Sequence, residues 1–318
     1  MFGLSSPKKL RELGVVGMNK RNVHYIAQSN ARHLYPLVDD KLKTKELCKQ
    51  HNIAAPKLLG VCKIQRNTNE LADFLADINQ FVIKPAKGSG GKGILVITGR
   101  DGDYFVKPSG MKVSITDVKR HASNILSGLY SLGGKPDVAI IEALVQFTDD
   151  FEGYSFEGVP DIRVIIYKGY PVMAMTRLST HESDGKANLH QGAVGVGIDI
   201  ATGKALSAVM HARPIEHHPD TGKRLKDLEI PHWHTLLELS VRGFDTTGLG
   251  YMGADIVLDK EHGPLLLELN ARPGLAIQVA NSRGLEPRLK CAEEQARLHP
   301  DRSVEERVQF AMDTIAKY

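Results

Sequence analysis

The 318-residue sequence predicts an α+β fold on three observations. Short apolar runs come in pairs joined by glycine-containing turns. Arg163-Val164-Ile165-Ile166-Tyr167 and Pro171-Val172-Met173-Ala174-Met175 flank Lys168-Gly169-Tyr170 as a β-hairpin. Helix-spaced segments fall between such pairs without strict β-α-β alternation. Hydrophobic residues make up 42% of a chain long enough for two or three subdomains.

The elements follow in order. Residues 1–38 are polar and mixed. Leu42 and Leu47 punctuate the charged stretch 40–52, which predicts a helix. Ile53-Ala54-Ala55-Pro56 ends it, because the residue before proline avoids helical geometry. Leu71, Phe74, Leu75 and Ile78 predict a short amphipathic helix over 69–78. Phe81-Val82-Ile83 and residues 94–97 are strands around a glycine-rich turn. Residues 116–130 form a helix with Ile125, Leu126 and Leu129 inward, before the buried strand Val138-Ala139-Ile140-Ile141. Residues 211–233, rich in His, Pro, Asp and Gly, form an inserted loop, and 233–242 a helix. Val257 and residues 265–269 belong to a second hairpin. Residues 303–317 close the chain as a helix with Val304, Val308, Ala311 and Ile315 on one face.

Composition narrows the function. Net charge is +4 and pI about 8.8, with the charges interspersed rather than striped, which argues against a nucleic-acid partner and suits anionic small molecules. No run approaches the roughly 18 to 20 apolar residues that cross a bilayer. The start, Met1-Phe2-Gly3-Leu4-Ser5-Ser6-Pro7-Lys8-Lys9, lacks the apolar core of a signal peptide, so the expectation is a cytoplasmic protein with no membrane partner. Cys48, Cys62 and Cys291 are isolated, which points to reduced thiols. His217-His218 and His232/His234 lack the spacing of a zinc site and read as part of a surface loop.

Two segments carry chemistry. In Lys84-Pro85-Ala86-Lys87-Gly88-Ser89-Gly90-Gly91-Lys92-Gly93-Ile94, glycines let backbone N–H groups converge on a phosphate and lysines add charge. The segment lacks P-loop spacing and runs into a strand, so it reads as a hairpin flap over phosphates or, equally, as an ordinary glycine turn. Lys84 tips the balance, because a lysine ending an apolar strand needs an anionic partner. The second segment pairs Gly253-Ala254-Asp255-Ile256-Val257 with Leu265-Leu266-Leu267-Glu268-Leu269-Asn270. With a Lys260–Gly263 loop, Asp255 faces Glu268, and alternation puts Asn270 on the same face. Opposed carboxylates repel unless a cation lies between them. Oxygen ligands of this kind describe a Mg²⁺–nucleotide site, and the surrounding leucines favour that over a solvated face.

Weaker signals surround these. Glu142-Ala143-Leu144 leaves a buried strand whose backbone can pair with an adenine edge. Asp161 and Arg163 share a face, which predicts first a mutual salt bridge. Arg177, Lys186, Asn188 and His190 cluster after the 171–175 strand in a polar, by default solvated, loop.

The ordered set resembles the ATP-grasp superfamily, and within it the RimK-type α-L-glutamate ligases, over about residues 39–282. Asp40-Lys41-Leu42 is similar to the first nucleotide-lysine region, and Lys84 with Gly88, Ser89, Gly90 and Gly91 to the second lysine and flap. Glu142 sits where the adenine hinge begins. Asp161-Ile162-Arg163 implies a nucleotide contact for Asp161 and a phosphate or acyl-phosphate contact for Arg163. Lys186-Ala187-Asn188-Leu189-His190-Gln191-Gly192 is similar to a family segment with Arg and Ser in the first two places. Asp255 and Glu268-Leu269-Asn270-Ala271-Arg272-Pro273-Gly274 resemble the metal-binding end. The stretch His218-Pro219-Asp220-Thr221-Gly222 to Ile230-Pro231-His232-Trp233 is similar to sugar-transferase-associated members.

The resemblance implies two subdomains clamping ATP behind a truncated N-terminal region, divided as 1–58, 59–142 and 143–318. It implies an ATP- and Mg²⁺-dependent ligase, with Mn²⁺ as an alternative metal, that joins an amino-acid or peptide carboxylate to an amine through an acyl phosphate. Lys41 and Lys84 would hold phosphates, Asp255, Glu268 and Asn270 the metal, and Arg163 with Arg177 the transferring phosphoryl group. The rival expectations are a phosphotransferase and a non-catalytic nucleotide-binding protein. A homo-oligomer is compatible with the sequence.

Overall fold

The computed structural model describes residues 6–88, 90–156 and 158–318. They fall into two compact units: the chain up to Val38 with Gln50–Ala54 and Phe147–Tyr318, and Asp39–Lys49 with Ala55–Gln146. This division departs from a separate 1–58 segment, because two forces pull that segment apart. Asn30 hydrogen-bonds the backbone of Tyr251 and Ala271, which ties the early residues to the larger unit. The helix α1 (Lys41–Gln50) sends Lys45 into the smaller unit instead.

In the smaller unit, β1 (Leu58–Cys62), β2 (Phe81–Pro85), β3 (Leu95–Ile97) and, later in sequence, a strand over Ala139–Glu142 form an antiparallel sheet. Between them lie β4 (Gly99–Asp101), β5 (Tyr104–Val106), β6 (Lys112–Val113) and the helix α2 (Ile115–Leu126), so that the Ala139–Glu142 strand is β7, paired between β1 and β2. The strands β4, β5 and β6 pair as their own sheet. A capping box starts α2, with Ser114 Oγ accepting from the Asp117 amide and Asp117 accepting from the Ser114 amide. Val118, Ala122 and Ile125 face Phe81, Ile83 and Ile141 in the core. The helix ends before Leu129, which is 65% exposed, contrary to its expected inward place. Helical structure near residue 70 comes as two short pieces, Gln65–Asn69 and Leu71–Phe74, not one helix over 69–78.

In the larger unit, seven antiparallel strands run in the order β12-β11-β10-β9-β8-β13-β14. They are β8 (Asp161–Tyr167), β9 (Tyr170–Leu178), β10 (Val194–Ile198), β11 (Ala205–Met210), β12 (Arg213–Ile215), β13 (Tyr251–Asp259) and β14 (Gly263–Asn270). Lys168 and Gly169, both with positive φ, make the β8–β9 turn that suits a two-residue hairpin. Helices α3 (Trp233–Thr247), α4 (Glu286–Leu298) and α5 (Val304–Asp313) pack on this sheet. The expected loop at 211–233 is a correction: β12 joins the sheet edge, and His218 is only 1% exposed. The chain buries His218 because its ring Nε2 bonds the Ser179 carbonyl and its Nδ1 accepts from the Asp220 amide.

Candidate functional site

In the larger unit, cross-strand register assembles the candidate residues. Asp161 pairs with Arg177, Arg163 with Asp255, Asp255 with Glu268, and Gly253 with Asn270. Direct partners point to the same face, and so do residues two apart along a strand. Asp161, Arg163, Arg177, Asp255, Glu268 and Asn270 therefore share one face of β9-β8-β13-β14. The expected Asp255–Glu268 pairing is present, but by another route. The loop is one residue shorter than supposed, since Asp259 pairs with Gly263, and an irregularity opposite Leu267 restores the register.

The side chains interlock. Arg163 donates from Nε to Asp255 Oδ1 at 2.7 Å and from Nη2 to Oδ2 at 2.5 Å. Arg177 grips Asp161 through both oxygens, with Nε 2.8 Å from Oδ1, and its Nη2 reaches Asp255 Oδ2 at 3.1 Å. Asn270 Nδ2 donates to the same oxygen at 3.1 Å. The salt bridge expected between Asp161 and Arg163 does not form. Neighbours on one strand point outward in parallel, whereas cross-strand partners converge, so each acid takes the arginine of the next strand. Arg177 likewise lies in β9 and not in the following loop with Lys186 and His190.

The electrostatics follow from burial. Burial alone would raise the Asp255 pKa, but Arg163 and Arg177 outweigh it and lower the value to about 2. Burial raises the Asp161 pKa, Arg177 opposes that, and Asp255 adds to it. Burial works against the charge on Arg177, yet Asp161 and Asp255 push its pKa above the ordinary value. Asp255 therefore stays ionised at neutral pH. The Asp255 and Glu268 carboxylates and the Asn270 amide oxygen are hard oxygen donors of the kind that would suit Mg²⁺.

The 179–192 segment beside this face is braced by the 211–223 stretch. His218 holds the Ser179 carbonyl, Asp220 accepts from the His181 amide at 2.7 Å, and His211 meets Glu182 at 2.9 Å. Asn188 caps the turn that follows it, its Oδ1 accepting from the His190 amide. Lys186 pairs with Asp184 at the surface.

The smaller unit holds the other candidates. Lys84, at the end of β2, lies 2.6 Å from Glu142 Oε2, so the anionic partner expected of a buried lysine is an acid of the chain itself. Lys45 Nζ lies 2.9 Å from Glu142 Oε1 and also donates to the Pro56 carbonyl. Burial lowers the Lys45 pKa, against the pull of Glu142. Sequence reasoning missed Lys45. Its signal was the i, i+4, i+7 spacing of Lys41, Lys45 and Cys48, which puts all three on one helix face. Lys41 Nζ donates to the Gly88 carbonyl at 2.8 Å, at the start of the glycine segment. Gly90, Gly91 and Gly93 have positive φ, and a Cβ on Gly93 would lie 2.4 Å from the Tyr130 ring, so only glycine serves there. Ser89 lies outside the described residues. The Ala143 amide donates to the Lys57 carbonyl, which extends the β1–β7 ladder past Glu142 and leads to Leu144.

Comparison with known proteins follows this geometry. A family model described as Sugar-transfer associated ATP-grasp matches residues 20–294. A protein of Maridesulfovibrio salexigens named "Probable alpha-L-glutamate ligase" is 23% identical over 74% of this chain, and the match spans 56% of that protein's length. One of the same name from Thioalkalivibrio sulfidiphilus is 21% identical over 94% of this chain and 74% of its own. The crystal structure of a RimK domain ATP-grasp protein from Sphaerobacter thermophilus is 14% identical, with TM-score 0.43, over 80% of this chain and 69% of that one. By the extent of the family match, this chain belongs to the sugar-transfer associated ATP-grasp family.

Proposed function

We propose that this protein is an ATP- and Mg²⁺-dependent carboxylate–amine ligase that works through an acyl phosphate. One observation carries the reading: the face on which Arg163 and Arg177 are fixed by Asp161 and Asp255, beside Glu268 and Asn270. Family membership and the relatives' names support it.

In this reading Asp255, Glu268 and Asn270 hold the metal. Bound there, Mg²⁺ supplies charge neutralisation to the phosphates. Arg163 spends Nε and Nη2 on Asp255, and its Nη1 presents further N–H donors to the phosphoryl group in flight. Arg177 adds a second guanidinium, held at fixed orientation by two acids. Lys41, Lys84 and the glycines Gly88, Gly90 and Gly91 bind phosphates of the nucleotide. Because the Ala143 amide is taken by Lys57, the adenine edge would use the Ala143 carbonyl and the Leu144 amide. Asp161 acts on the nucleotide through Arg177, and Asn188 shapes the acceptor side by capping its turn. The reaction adds glutamate or a related amino acid to a peptide or small-molecule acceptor, with an amino-acid or peptide carboxylate activated and an amine attacking it.

ADP release, screened over amino acids and peptides with mass spectrometry of the products, tests this. The expected result is stoichiometric ADP, phosphate and amide. A phosphorylated end product would instead mark a phosphotransferase, and binding without turnover a non-catalytic protein.

A further inference from the structure

Glu142 is 3% exposed and has an ammonium on each oxygen, Lys45 at 2.9 Å and Lys84 at 2.6 Å. Two lysines and one glutamate leave this buried triad with one surplus positive charge. Such a charge is costly unless an anion meets it. The two lysines are not equivalent. Lys45 pairs ionically with Glu142 and donates its hydrogen bond to the Pro56 carbonyl, which fixes it beside Glu142. Lys84 is the penultimate residue of β2, just before the chain enters the glycine segment. Were Lys84 the sole partner of Glu142, drawing it to a phosphate would strand a buried carboxylate, a loss that offsets much of the phosphate contact.

We propose that Lys45 is a positioning residue for nucleotide binding: by neutralising Glu142 it leaves the Lys84 ammonium as net charge for a phosphate. The inference rests on the phosphate role proposed above for Lys84. It makes an unusual claim, that removing a positive charge and then a negative one restores binding. The triad carries one surplus charge in the wild type, none in Lys45→Met, and one again in Lys45→Met/Glu142→Gln.

The test is calorimetric titration of the full chain with ADP and Mg²⁺, with thermal melts of every variant. Lys45→Met should weaken binding about tenfold or more. The double variant should return to within about threefold of the wild type, and Lys45→Arg, which keeps the charge, should stay near it. Equal affinity of wild type and Lys45→Met overturns the inference alone. So does a double variant as weak as Lys45→Met, because a packing role for the lysine stem predicts no rescue by Glu142→Gln. If Lys45→Met does not fold, Glu142→Gln alone decides: retained or tighter binding supports the inference, and a tenfold loss overturns it. Absence of nucleotide binding by the wild type removes the phosphate reading itself, and the inference with it.

Discussion

In the seven-stranded sheet two arginines are locked between two aspartates, whereas in the four-stranded sheet two lysines share one glutamate. The first arrangement uses planar guanidiniums, which pair with carboxylates at two points and fix an angle as well as a distance. The second uses ammoniums on flexible stems, which act as point charges. Their balances also differ. Asp161 and Asp255 match Arg163 and Arg177 in number, whereas Lys45 and Lys84 outnumber Glu142 by one. The contrast teaches that paired guanidiniums fix an orientation, whereas clustered ammoniums concentrate charge.

The largest effect should come from breaking the geometry. Arg177→Met strips the bidentate partner from buried Asp161 and a second partner from Asp255, and should cost about 3–5 kcal/mol by chemical denaturation. Arg177→Lys should recover only part of that, since an ammonium cannot make the fork. Next is Glu268→Ala, which removes the half-buried carboxylate proposed above as a metal ligand. It should lower Mg²⁺-dependent ADP formation by about 100-fold or more while leaving the melting temperature near that of the wild type; full activity would sink the metal assignment.

A smaller effect is pH-linked. The Asp255 pKa is depressed in the fold, to about 2, below the roughly 3.9 of an unfolded chain. Its contribution to stability is therefore present above about pH 4 and is lost as pH falls toward about 2. The stability gap between wild type and Asp255→Asn should narrow over that window, and a gap constant with pH would contradict the pairing. The smallest effect belongs to an exposed pair outside both clusters. Lys260 and Asp149 lie 2.7 Å apart at the surface, and Lys260→Ala should shift neither the melting temperature nor activity measurably.

Much of this was legible in sequence where periodicity and chemistry coincide. The hairpins, the buried strand leading to Glu142 and the acid pair Asp255–Glu268 follow from alternation and turn residues. What local pattern did not show was partner choice. Asp161 and Arg163 look paired in one dimension, and only sheet order, with β9 on one side of β8 and β13 on the other, gives each its real partner. Lys45 was hidden for a related reason. A lysine in a charged helix reads as solvated until a buried carboxylate from β7, almost a hundred positions later in sequence, is brought to it. The polar 211–233 stretch read as loop, because its ordering comes from contacts such as His218 with Ser179 that composition does not reveal.

Acyl-phosphate chemistry is tested most directly by oxygen transfer. With the carboxylate substrate found by ADP screening labelled with ¹⁸O, one labelled oxygen should appear in the released phosphate for each amide formed. Phosphate free of label, released with the amide, would contradict the mechanism.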